Sequence, residues 1–295
     1  MSSVLGYRVF NVTLLHKTWL SPSFMRCVFT GADVGMMKMD GPDQRIKLLF
    51  PSLSGQAPAL ASNRSWWEQL KSLPQAHRPI PRTYTLRGVE AAECLMDVEF
   101  AIHGREGIAS AWAIDATPGD TLQIVAPNRQ HIADSGGYEW RPHPNVERAL
   151  IVADETALPA VKGILEQMAK WANPPKMQIF QEIPLDEDRL DWRAYSFAEV
   201  HWLPRDKAEY GAALLSALKD RAVIPAYALN SQNDDIDDEG DLLWRGAENQ
   251  GNQFYGWVAA ESSSVKHIRR YLVGERHVAS ENVSFMAYWS KGKAC

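Results

Sequence analysis

The sequence predicts two joined architectures, an antiparallel β-barrel or sandwich over its first half and a doubly wound parallel-sheet α/β domain over its second. Three observations carry that reading. Up to about residue 130 the chain falls into short β-leaning runs separated by turn residues. A stretch rich in Gly and Pro follows, with Ser135-Gly136-Gly137 and Arg141-Pro142-His143-Pro144. Beyond it, the uninterrupted apolar run 149–153 marks a strand covered on both faces, and strand and helix then alternate. The expected division is residues 1–134 for the first domain, 135–145 for a linker and 146–295 for the second domain.

In chain order, strands are expected at 7–15, 25–30, 44–50, 82–88, 94–102 and 121–126, where β-branched and aromatic residues concentrate. Gly41-Pro42-Asp43 and Pro118-Gly119-Asp120 carry tight-turn chemistry between them. At 62–73 an insert places Trp66, Trp67, Leu70 and Leu73 at helical spacing. The second half offers strands at 149–153, 177–183, 199–203, 254–259 and 283–288, with helices at 158–170, 208–219 and 262–273. Pro159 falls in the first turn of the first of these helices, where its missing N–H is not needed.

Composition bounds the function. The 295 residues suffice for two cores, and 45% hydrophobic with 23% charged is ordinary for a globular chain, which excludes disorder, collagen and coiled coil as the whole answer. A net charge of −5 argues against a dedicated nucleic-acid binder. The three cysteines Cys27, Cys94 and Cys295 form no close pair, so neither a disulfide framework nor a thiolate metal site is expected, and the cytosol is the expected compartment. The N-terminus lacks a basic stretch followed by an apolar run, and nowhere do about 18 apolar residues run together. The eight histidines show no metal-ligand spacing. Eleven tryptophans serve either as core or as stacking surfaces for a planar ligand.

The most informative segment is Pro81-Arg82-Thr83-Tyr84-Thr85-Leu86-Arg87, since a strand puts Arg82, Tyr84 and Leu86 on one face and Thr83, Thr85 and Arg87 on the other. An arginine fork for phosphate, a flat phenol and a hydroxyl for a ring heteroatom make a flavin-binding set; the alternative is an edge strand with solvated arginines. Gly107 precedes an expected helix start at Ser110, where free amides and the positive helix end favour a phosphate, or where Ser110 is simply an N-cap. Asp154-Glu155-Thr156 follows the first strand of the α/β half, the edge where such sheets bind ligands. No G-x-G-x-x-G occurs, and Asp154 and Glu155 can equally cap the next helix.

Arg82-x-Tyr84-Thr85-x-Arg87 resembles the flavin signature of the ferredoxin reductase-like superfamily, and within it of the siderophore-interacting proteins, FAD-dependent ferric-siderophore reductases. Four further segments agree in order: residues 44–51; 100–104 with 107–113; 154–160; and the closing stretches 257–261, 267–272 and 287–292. The resemblance implies an N-terminal flavin-binding β-barrel and a C-terminal NAD(P)H-binding domain. It implies a cofactor site made of Arg82, Thr83, Tyr84, Thr85, Arg87, His103, Gly107, Ala109, Ser110, Asp154, Thr156 and Ala157. His103 is either a flavin-side hydrogen-bonder or a satisfied core histidine.

A ferric siderophore is bulky and often anionic, so cations are expected near the site. The resemblance places them at Lys47, Arg129 and Lys291, with Lys293 a competitor for the third position. Arg205 is expected to meet nucleotide phosphates or to be a surface charge. Asp235, Asp237, Glu239 and Gly240 imitate part of a calcium loop, but Gly246 stands where its bidentate glutamate belongs, so 233–241 reads as a solvated acidic loop. The implied activity takes a hydride from NADH or NADPH onto FAD and passes electrons singly to siderophore-bound Fe(III), with no side chain acting as acid or base and with ferredoxin an alternative donor. No nucleic acid or membrane partner and a monomeric state are expected. Two other readings stand beside it: a flavin reductase serving a redox protein partner, and a flavin-bearing siderophore-binding module without nicotinamide turnover.

Overall fold

The computed structural model of the chain describes residues 4–230, 244–248 and 251–292. The acidic loop at 233–241 and Lys293 lie outside the described residues. The chain divides into two compact units, one running to Tyr138 and the other starting at Glu139.

The first unit contains β1 (Tyr7–Ser21), β2 (Phe24–Thr30), β3 (Arg45–Phe50), α1 (Trp66–Ser72), β4 (Ile80–Thr85), β5 (Gly88–Glu90), β6 (Leu95–Ala101), α2 (Ile108–Asp115) and β7 (Thr121–Pro127). Its strands form one antiparallel sheet in the order β4-β3-β7-β1-β2-β6-β5. In a flat sheet β4 and β6 would lie five strand spacings apart, about 24 Å. Yet the rings of Tyr84 on β4 and Phe100 on β6 have centroids 4.5 Å apart. The sheet is therefore curled into a half-barrel. Its core is aromatic: Trp112 of α2 meets Phe29 at 6.0 Å, Phe50 at 5.9 Å and Phe100 at 6.3 Å, plugging the curled sheet with a helix.

The first strand continues to Ser21, six residues past its expected end. Its outer half pairs Lys17 with Cys27 and Trp19 with Met25, and a bulge between Leu14 and His16 breaks the alternation that pattern reading needs. Lys17 Nζ donates to the carbonyls of Ala113 at 2.9 Å and Ile114 at 2.6 Å, in the last turn of α2, where a cation meets the negative helix end. The segment expected as a linker is tied down at its start. Tyr7 Oη donates to the Gly136 carbonyl at 3.3 Å, and the Arg45 amide donates to that of Gly137 at 2.7 Å.

The second unit contains β8 (Arg148–Ala153), α3 (Leu158–Met168), β9 (Lys176–Ile183), β10 (Ala198–Pro204), α4 (Ala212–Arg221), β11 (Trp244–Arg245), β12 (Phe254–Glu261), α5 (Ser262–Arg269) and β13 (Val283–Trp289). The sheet order is β10-β9-β8-β12-β13-β11, parallel throughout except for the short β11, which the sequence reading lacks and which pairs antiparallel with β13. Leu150, Val152, Phe254, Val258 and Phe285 share a core with Leu214 and Leu218 of α4 and Val265 and Ile268 of α5. The alternate residues Ile151, Trp257 and Ala259 are equally buried, as expected for strands covered on both faces. From β8 the chain steps outward through β9 to β10, then returns to the other flank of β8 with β12. The strand order thus reverses between β8 and β12, and ligands of such sheets bind at the carboxyl ends of the two strands flanking that reversal.

Candidate functional site

In the first unit the candidate flavin strand, β4, is the sheet edge, paired on one side with β3. The register Leu48↔Arg82, Lys47↔Thr83 and Ile46↔Tyr84 distributes the residues over two faces. Leu48 and Ile46 belong to the barrel core, so Arg82 and Tyr84 share the inner face; Tyr84 is half-buried against Phe100. Burial raises the pKa of the Tyr84 hydroxyl, so it stays protonated and can donate at neutral pH. Arg82 donates to its own neighbour's carbonyl, that of Pro81, at 2.8 Å, and among the described residues no carboxylate pairs with it. Thr83 and Lys47 share the outer face, where Lys47 Nζ donates to Thr83 Oγ1 at 2.5 Å. Thr85 is buried, and Arg87, just past the strand, has its Nε 3.4 Å from buried Glu99 Oε1. Arg87 thus braces the end of β4 against β6.

The loop after β6 leads into α2. The helix starts at Ile108 with Gly107 as its N-cap, not at Ser110 as expected. Ser110 lies in the first turn instead: its Oγ accepts from the His103 amide at 3.0 Å and donates to the Gly104 carbonyl at 2.7 Å, folding the loop back onto the helix. Ala109 and Ser110 are buried, whereas His103 is exposed, which removes the core-histidine alternative. Gly104 adopts φ +72°, and a Cβ at Gly104 or at Gly107 would meet no atom within 4 Å. The amides of 108–110 have no intrahelical acceptor, and the glycines at 104 and 107 leave open space beside them.

The three candidate substrate cations differ in kind. Lys47 is half-buried and committed to Thr83; Arg129, two residues past β7, is exposed, with its amide on the Met36 carbonyl at 2.8 Å. In the second unit Lys291 is exposed, and its amide donates to Glu261 Oε1 at 3.1 Å.

At the topological switch of the second unit stand two buried carboxylates. Asp154 follows β8; its Oδ1 accepts from the Thr156 amide at 2.9 Å and hydroxyl at 2.5 Å, its Oδ2 from the Glu261 amide and Trp289 Nε1, each at 2.8 Å. Burial, with the neighbouring Glu155 charge, pushes its pKa up to about 7 against these donors. Glu261 closes β12 and caps α5. Burial works to raise its pKa, but donors from Ser262, Ser263 and the Lys291 amide outweigh that and hold it down at about 2. Asp154 and Ala157 are buried and Thr156 half-buried, so of these three only Thr156 presents a side chain to a ligand.

Arg205 is neither a phosphate ligand nor a surface charge. Its guanidinium is buried, bound to Glu155 at 2.7 and 2.8 Å and to Glu182 at 2.9 Å, and stacked 3.9 Å from the Tyr210 ring centroid. Tyr210 in turn meets Trp289 edge-on at 4.8 Å. Sequence reasoning missed Glu182, Tyr210 and Trp289 as parts of one cluster. A signal for the first was present: Glu182 is a lone acid closing the run Ile179-Phe180-Gln181-Glu182-Ile183 in a strand covered on both faces.

Comparison with known proteins decides the family. Residues 13–131 match the model of the siderophore-interacting FAD-binding domain, and residues 146–292 that of the siderophore-interacting protein. The chain belongs to the siderophore-interacting protein family. A siderophore-interacting protein of this kind is similar along nearly its whole length to the ferric vibriobactin reductase ViuB of Vibrio cholerae, at 27% identity over 95% of this chain and 88% of that one. The NADPH-dependent ferric-chelate reductase of Escherichia coli is 26% identical over 95% of this chain and 92% of its own. The structure of a siderophore utilization protein from T. fusca superposes with a TM-score of 0.72 at 23% identity, covering 99% of this chain and 96% of that one, and shows the same fold.

FAD is the family's cofactor, and the first unit fits it. Arg82 has no competing carboxylate among the described residues, the Tyr84 hydroxyl remains protonated, and side-chain-free positions at Gly104 and Gly107 leave the α2 amides accessible to a pyrophosphate.

Proposed function

We propose that the chain is an NAD(P)H-dependent ferric-siderophore reductase that delivers electrons to siderophore-bound Fe(III) and releases Fe(II) for iron use within the cell. The observation that carries this reading is the likeness, over 95% of the chain in each case, to two proteins named for ferric reduction. Bound FAD supplies two-electron acceptance from a hydride donor and one-electron release to iron.

The chain's own residues have simpler tasks. Arg82 and the amides of 108–110 neutralise and orient the pyrophosphate, with Ser110 fixing the loop that carries His103 and Gly104. Tyr84, Thr83 and Thr85 line the strand that faces the ring system, and Arg87 holds that strand to β6 through Glu99. Thr156, Asp154 and Ala157 form the turn at the switch point, where the nucleotide donor docks. Arg129, Lys47 and Lys291 supply positive charge for an anionic chelate. Fe(III) is substrate; as Fe(II) it carries less charge and is held less tightly by hard oxygen donors. No general acid or base is required, since the iron changes only its charge.

One alternative has an observation in its favour. The turn at 154–159 carries no glycine fingerprint, which suits a flavin-bearing siderophore-binding module without nicotinamide turnover. Anaerobic addition of NADH, then NADPH, to the purified flavoprotein separates the readings. Bleaching of the flavin absorbance is expected with at least one nucleotide, and its absence with both would leave only the binding module. If bleaching occurs and a ferric siderophore does not restore the colour, a redox protein partner becomes the acceptor.

A further inference from the structure

The carboxyl edge of the second sheet is held by one continuous set of side chains, and most of it has no assigned task. Asp154 takes four donors from three places: the turn after β8, the end of β12 and the indole of Trp289 at the end of β13. The indole is fixed at its N–H by Asp154 and on its ring by the edge of Tyr210. Tyr210 is in turn backed by Arg205, which Glu155 and Glu182 clamp. Trp289 remains half-exposed at the end of this chain of contacts. Asp154 and Glu261 flank the reversal of strand order, so the held indole stands beside the place where such a sheet takes its ligand.

We infer that Asp154 is a positioning residue of the nucleotide-donor site, whose buried carboxylate holds the Trp289 indole as a fixed aromatic wall for the nicotinamide dinucleotide. The inference rests on the proposed reductase function and deepens it. Asp154 never touches the donor; it acts through Trp289 and through the Glu261 amide. A wall held at two points loses little freedom when a planar ring docks against it, which is the benefit of preorganisation.

Ionised Asp154 accepts all four donors. Once protonated, it points its proton at the Thr156 hydroxyl, the one contact able to accept, and keeps Trp289 only as a weaker neutral hydrogen bond. The charged and titratable groups facing it are Glu155 in its own turn, Glu261 on β12, Tyr210 on the loop before α4, and, behind Glu155, the Arg205–Glu182 pair. With burial pushing Asp154 up to about 7, the change falls where it can be followed.

The test has two arms. In flavin-free or holo protein, the indole N–H resonance of Trp289, assigned by its disappearance in Trp289→Phe, should shift upfield in a single step as pH falls from 9 to 5, and should be displaced at all pH values in Asp154→Asn. In stopped-flow bleaching by NADH or NADPH, Asp154→Asn should weaken nucleotide affinity about tenfold. Trp289→Phe should act in the same direction, and the double variant should be no worse than Asp154→Asn alone, because both act through one contact. An indole resonance indifferent to pH overturns the inference, as does additive loss in the double variant, or a Asp154→Asn protein that is merely less stable with unaltered nucleotide affinity. Failure of the wild type to bleach with either nucleotide strikes the proposed reductase function instead.

Discussion

Replacing Arg205 with Met removes a cation whose whole environment is acidic. It makes hydrogen bonds of 2.7 and 2.8 Å to Glu155 and 2.9 Å to Glu182, and both carboxylates are fully buried at 0% exposure. Burial works to lower the Arg205 pKa, and the two partners overcome it and raise it, so the cation is charged at any working pH. Burial raises the pKa of Glu182 even with Arg205 present. Deleting one member of such a buried set strands the others, at about 3–5 kcal/mol. At roughly 2–4 °C per kcal/mol for a unit of this size, the unfolding transition of the second unit should fall by about 10 °C. The deficit should be larger at pH 8 than at pH 5: an acid whose folded pKa is raised binds its proton preferentially in the folded state, so stability is lost as pH rises. Calorimetry or urea melts at both pH values measure it. Glu155→Gln/Glu182→Gln added to Arg205→Met should recover most of the loss, since neutral amides need no counter-ion. A loss below about 1 kcal/mol at pH 8, or no recovery in the triple variant, would refute the claim that Arg205 is a structural counter-ion.

Lys47→Ala with Arg129→Ala should raise the apparent KM for anionic ferric chelates and flatten its salt dependence while flavin content stays unchanged, and Arg129→Ala alone should give most of the effect because Lys47 is committed to Thr83. Steady-state kinetics at 20 and 300 mM salt read this; unaltered salt dependence removes these residues from the site. Two carboxylates should shape stability against pH in opposite directions. Glu261, held at about 2, supports the fold above its unfolded value near ~4.3, and that support disappears as pH falls towards 2, so Glu261→Gln should lose less than wild type on going from pH 5 to 3. Asp154, raised to about 7 from ~3.9, favours the fold only while protonated and withdraws that support as pH climbs through 4 to 7, so urea midpoints of Asp154→Asn should decline less than wild type from pH 5 to 8.

Where pattern and turn chemistry are local, the fold was readable. The first strand of the α/β half, its following helix with Pro159 and the closing strand all stand where periodicity puts them. What escaped depends on distant partners. The outer half of β1 owes its extension to the ladder with β2, and the Leu14/His16 bulge hides its period. The three-residue strand β5 exists only as a rung beside β6. The start of α2 falls at Ile108 and not at Ser110, because Ser110 spends its hydroxyl on residues 103 and 104 instead of on its own helix end. Arg205 was the sharpest case. Its partners lie 50 and 23 residues away in the chain, so no local pattern distinguishes a buried counter-ion from a solvated or phosphate-binding arginine. The carboxyl end of the first strand of the second sheet was legible at Asp154, while its hydrogen bonds to the Glu261 amide and to Trp289 required seeing the ends of β8, β12 and β13 together.

The most direct test of the reductase account is a count of iron. Under anaerobic conditions, with a ferrous trap present and NADH or NADPH limiting, the account predicts about two Fe(II) captured from a ferric siderophore for each nucleotide oxidised. Nucleotide oxidised with no trapped Fe(II), or a colourless protein that takes up no FAD, would contradict it.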